Sequence, residues 1–180
     1  MSSLVTLSEE LGKTIRILPG FHDKKGIEYV DPSNDVYIIV LPYARDIIDI
    51  YFFLYMHLHN KPVAMLGLEW KSPEEKLPHP IEFSNINELI EKLREIYKNC
   101  EIYVKEIGSN QYLIAIFDPT NLKITLGLAT AHEKDGKYVI TELRDVCHLV
   151  ILALNNVDVK TVIEELFKIY YAIYHIVSNP

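Results

Sequence analysis

The sequence predicts an α+β fold: one mixed, mostly antiparallel sheet covered by three or four helices. Three observations predict it. Residues 101–141 hold four strand-like segments separated by short turn-forming stretches, the pattern of an antiparallel meander. Val36–Leu41 and Val63–Trp70 are apolar runs on either side of a helical run from Ala44 to about Asn60, which reads as a crossover unit in a buried sheet. Residues 86–98 and 158–177 carry apolar side chains at helical spacing. With 180 residues, 49% of them hydrophobic and 24% charged, the chain is long enough to bury a core and is read as a single domain over 1–180.

Taken in order, Ser8–Leu11 forms one helical turn stopped by Gly12, and Thr14–Leu18 a strand with Ile15 and Ile17 on one face. A loop follows through Gly26. Ile27–Val30 and the run from Val36 are short strands around the turn Asp31-Pro32-Ser33-Asn34. Beyond the crossover, Pro73, Pro78 and Pro80 make 72–83 an extended connector, since proline is excluded from helix interiors and central strands. Asn85 and Glu88 are spaced as a capping box, Ile86, Leu89, Ile90, Leu93, Ile96 and Tyr97 form one stripe, and Glu88 supports Lys92 four residues on. In Gln111–Phe117 both alternating faces are apolar, so this strand is central and covered on both sides. Glu142–Leu154 reads as a helix or, from Cys147, as a strand, because an all-round apolar run does not reveal its period. Asp158 caps the last helix, where Glu164 is placed to pair with Lys168.

Several function classes are disfavoured at once. A formal charge of −7 argues against general nucleic-acid binding, which needs a basic face. No apolar run reaches the roughly 18 residues of a membrane span, and the N-terminus lacks the pattern of a secretory signal, so a cytoplasmic location is expected. Cys100 and Cys147 belong to no Cys-x-x-Cys motif; both stay reduced in a mesophilic cytosol, and a bond between them becomes an option only in a hyperthermophile. Abundant Lys and Glu with Gln111 as the sole glutamine fit a thermophile.

Candidate chemistry centres on Glu69-Trp70-Lys71. Alternation places Glu69 and Lys71 on one side of an extended chain, as in the half-motif of metal-dependent nucleases, with Asp46 or Asp49 as the second acid and Mg²⁺ as the cofactor. The helix at 44–60 stands where such a site needs a strand, so surface charge at a strand end is the simpler explanation. His57 and His59 diverge on a helix and sit badly for a shared metal; His22 and His79 lie apart from them. Gly12-Lys13-Thr14 lacks the rest of a phosphate loop, Cys147-His148 lies in an apolar run, and Phe21 to Lys25 is a solvated loop rather than a base-stacking one.

The expected role is therefore non-enzymatic: an interaction or scaffold subunit without cofactor or metal, forming a homodimer and meeting other protein subunits. The expected interface uses the apolar circumference of the last helix (Tyr170, Tyr171, Ile173, Tyr174) together with Phe52 and Phe53, the proline-bearing connector acting as an arm. In composition the chain resembles small crenarchaeal proteins, among them accessory subunits of RNA-guided CRISPR antiviral complexes. That likeness is one of texture, covers no motif, and implies an archaeal multi-protein setting. The alternative is the Glu69/Lys71 nuclease.

Overall fold

The computed structural model describes residues 15–19, 25–31, 33–42 and 61–178. The expected helix at 44–60, the turn at 8–11, and Asp46, Asp49, Phe52, Phe53, His22, His57 and His59 lie outside the described residues.

The expected cover of three or four helices is overturned. The described chain is mostly strand, in one nine-stranded mixed sheet with two helices. The strands are β1 (Ile15–Pro19), β2 (Lys25–Val30), β3 (Tyr37–Pro42), β4 (Val63–Phe83), β5 (Glu101–Gly108), β6 (Gln111–Asp118), β7 (Lys123–Thr130), β8 (His132–Lys134) and β9 (Lys137–Asn155). The helices are α1 (Ile86–Ile96) and α2 (Val159–Ile176). The strand order is β1-β2-β3-β4-β9-β7-β6-β5, with β8 paired to β9. β3 and β4 are parallel, as the crossover reading requires, and β5, β6, β7 and β9 form the expected antiparallel run.

Two segments account for the correction. Residues 142–154 are strand, within β9. Of the two readings open for this run, the strand from Cys147 is the one found, and it begins earlier, at Lys137. It carries a bulge, in which Leu126 faces Cys147 while Leu128 faces Arg144, and Asp145 takes the left-handed φ of 47°. The extra residue puts Leu143 and Val146, three apart, into the same core, imitating a helical stripe. Residues 72–83 are not a connector either; they continue β4 along β9. β3 flanks β4 only as far as Leu68, so beyond it β4 has no second neighbour among the described residues. Prolines are compatible with such an edge, and Pro78 and Pro80 fall inside a register shift between Lys76 and Ile81.

The sheet buries side chains on both faces. α2 packs on the inner face against Leu66, Leu113, Phe117, Ile124, Cys147 and Leu149; α1 packs on the outer face against Phe83, Ile114 and Val146. β6 is buried from Tyr112 through Phe117, as expected of a doubly covered strand. α2 runs beside β2, since Ser178 N–H donates to Lys25 O (3.1 Å) and Lys168 Nζ to Asp31 (2.6 Å). It also shares a core with Ile107 of β5, at the other end of the strand order, so the sheet curls around it. Cys100 and Cys147 are free thiols belonging to opposite faces.

The caps follow the sequence closely. Asn85 Oδ1 accepts from Glu88 N–H (2.9 Å), while Glu88 reaches back to Ser84 N–H and forward to Lys92 (3.2 Å). Asp158 accepts from Thr161 N–H (2.8 Å). Asn85→Ala is expected to cost about 1 kcal/mol, measurable as a lowered urea midpoint.

Candidate functional site

Glu69 and Lys71 do not meet. Leu68 faces Leu149 and Trp70 faces His148, so Glu69 is the additional residue of a bulge, and the chain changes face across it. Glu69 pairs with Lys123 (3.3 Å). Lys71 turns to the inner face, where its Nζ donates to Tyr174 O (2.6 Å) and lies 5.5 Å from the centre of the Tyr174 ring. Burial lowers the pKa of Lys71. No group of three or more His, Cys, Asp or Glu side chains suited to a metal occurs among the described residues.

Trp70 is the one residue of that triplet with a new role. It is 48% exposed and lies flat on His148, ring centres 3.7 Å apart. His148 Nε2 is 2.5 Å from Glu75 Oε1, and its Nδ1 is 3.4 Å from Thr125 Oγ1. Glu75 comes from the stretch read as a connector, which is why the sequence did not associate it with His148. The stack contributes about 0.5–1.5 kcal/mol beyond area burial. Trp70 is the single tryptophan, so His148→Ala is expected to red-shift the emission spectrum by uncovering one indole face.

The expected helix interface is largely consumed by the chain itself. Tyr170 and Ile173 are in the inner core. Tyr170 Oη donates to Asp145 O (2.7 Å), clamping the β9 bulge. Tyr174 is half-buried over Lys71, and Tyr171, 39% exposed, lies against His175. Lys168 does not pair with Glu164; it bridges Asp31 (2.6 Å) and Glu165 (3.2 Å).

Those two acids are the buried charged residues of the described chain. Asp31 follows directly on β2, its Oδ1 taking Ser33 N–H (2.8 Å), while Asn34 Nδ2 donates to both carboxyls at 3.2 Å. Burial works to raise the pKa of Asp31, but bonds to Glu165, Lys168 and Ser33 hold it well below the usual carboxylate range. Glu165 goes the other way, pushed up by burial and by Asp31. Its Oε2 has no hydrogen-bond partner among the described residues. A proton on Glu165 makes it a donor, with Asp31 as the acceptor beside it. Burial pushes the nearby Tyr29 hydroxyl up to about 12, with Asp31 and Glu165 adding to the effect.

Lys168 also borders a cleft of about 480 Å³ at the rim of the sheet. The cleft wraps the outer side of β5, between Ile90 of α1 and Phe167 of α2, over Ile102, Tyr103 and Val104. Among the described residues β5 pairs with β6 alone, so alternate residues along it direct N–H and C=O groups into this space. Of the free strand borders described, that of β4 carries prolines, β1 is five residues long and ends on Pro19, and β8 is three residues long, whereas β5 runs for eight residues without proline. The alternation Ile102, Val104 against Tyr103, Ile107 was visible in the sequence. That β5 stands last in the sheet was not.

No protein-family model, curated protein or solved structure matches the chain. Among the described residues no helix is long and apolar enough to cross a membrane.

Proposed function

We propose that this chain is a non-enzymatic interaction subunit that self-associates through the free border of its sheet. The observation that carries this reading is β5: an eight-residue strand with no second neighbour among the described residues, without proline, with an apolar cleft along its rim. Unpaired strand borders are ready-made templates for another strand, and main-chain bonds give affinity while flanking pockets give specificity. The predicted interface on the last helix moves accordingly to β5, because Tyr170 and Ile173 are occupied inside the chain.

Sedimentation velocity of the intact chain at micromolar concentration tests the reading. The expected result is a dimer or larger species, dissociating on dilution. A species that sediments as a monomer throughout the micromolar range removes it.

A further inference from the structure

We propose that the occupant of the β5 border is β5 of a second copy, in one register: the strands run antiparallel about a two-fold axis through Tyr103. The proposal rests on self-association through β5 and adds how the copies recognise one another.

The register follows from strand geometry. On an antiparallel pair, opposed residues send their side chains to the same face and their polar groups either both toward or both away from each other. Opposed residues must therefore share parity, and a symmetric pair must be centred on a residue rather than between two. Few centres keep most of Glu101–Gly108 paired. Centring on Ile102 opposes Glu101 to Tyr103 and leaves Lys105 with Asn99, outside the strand. Centring on Val104 opposes Glu101 to Ile107 and Ile102 to Glu106, charge against apolar at both ends. Centring on Lys105 sets two ammonium groups face to face.

Centring on Tyr103 pairs the five residues Glu101 through Lys105 with no charge set against an apolar residue or a like charge, and leaves Glu106–Gly108 beyond the end of the second copy's strand. Glu101 opposes Lys105 of the second copy, and by symmetry the pair occurs twice. Ile102 opposes Val104, also twice, on the outer face, where both pack beside α1's core. Tyr103 meets its own copy on the inner face, where it already lies against α2's core. Glu101 is exposed and bonded only to Tyr103 Oη (2.7 Å) among the described residues, and Lys105 is exposed. Opposite charges and apolar residues directly across a strand pair each stabilise it, while like charges so placed destabilise it. The cleft bordering Ile102 and Val104 supplies the room that the incoming strand fills.

Charge reversal tests the register. Glu101→Lys sets lysine against Lys105 twice, and Lys105→Glu sets glutamate against Glu101 twice. Each single variant is expected to weaken self-association about tenfold, the sum of two lost attractions and two new repulsions. An equimolar mixture of the two variants is expected to recover wild-type association, since every opposed pair is then complementary. The double variant E101K/K105E is expected to recover it alone. Circular dichroism confirms that each exposed substitution leaves the fold intact. Recovery in the mixture cannot come from the Tyr103–Glu101 bond, which the Glu101→Lys chain lacks in every combination. A wild-type dimer indifferent to both reversals, or weakened by them without rescue, overturns the register and leaves the interaction reading standing. A wild-type monomer overturns both.

Discussion

Tyr170→Ala is expected to lower the stability of the chain by about 3–5 kcal/mol, and Tyr170→Phe by about 1 kcal/mol, read from urea unfolding curves. Tyr170 is the largest of the fully buried side chains. Truncation to alanine removes an aromatic ring from the inner core and leaves a cavity that the packed sheet fills only in part. The phenylalanine variant keeps the ring and deletes one donor. Its cost falls on the carbonyl of Asp145, which accepts at 2.7 Å and belongs to the residue in the left-handed region. The difference between the variants separates packing from the clamp on the β9 bulge. Equal losses in the two would show that the clamp, not the ring, holds this region.

Asp31→Ala is expected to cost about 3 kcal/mol, because it strips a buried carboxylate from Lys168, Asn34 and the Ser33 N–H together. Glu165→Gln removes a titrating group while keeping its shape. The pH dependence has a definite sign. The raised pKa of Glu165 means that its contribution is fully present below the ordinary glutamate value and is lost as pH rises through the raised one. Asp31 works oppositely: its contribution is present above the ordinary aspartate value and is lost as pH falls through the lowered one. Unfolding midpoints collected at rising pH above the ordinary glutamate value are expected to decline where Glu165 gives up its proton. Glu165→Gln is expected to flatten that decline, and an unchanged slope in the variant would place the titration elsewhere.

Local patterns were legible wherever one residue's neighbours decided its structure. Asn85 and Asp158 cap the helices expected of them, and the turn residues between β5, β6 and β7 fall where the meander needs them. The failures have two causes, bulges and long-range placement. Asp145 and Glu69 are bulge residues, and one additional residue shifts the period on which face assignments depend. At 142–154 the bulge adds to an all-round apolar run whose period left helix and strand both open, and at Glu69 it separated two residues that alternation would unite. The prolines of 72–83 gave a correct local rule, but whether a strand lies at the border of a sheet is a long-range property. The Asp31–Glu165–Lys168 network was hidden for the same reason. Its members lie in a turn and a distant helix, and Glu164 offered Lys168 an equally plausible neighbour in sequence.

The long ribbon of β4 and β9 also implies an order of events when the chain folds. Phe83 faces Tyr138 at one end of the ribbon and Val63 faces Asn155 at the other, so the first pairing closes the shorter loop. The segment enclosed by that shorter loop contains α1 and β5–β8, linked mainly by tight turns that form early. The ribbon should therefore zip from Phe83 toward Val63, with the parallel β3–β4 pairing added late, since β3 needs the completed β4 as its template. Until then the Val63–Leu68 stretch of β4 has no β3 beside it. Hydrogen-exchange pulse labelling during refolding is expected to protect Ile114 and Leu126 amides before those of Val40 and Leu66.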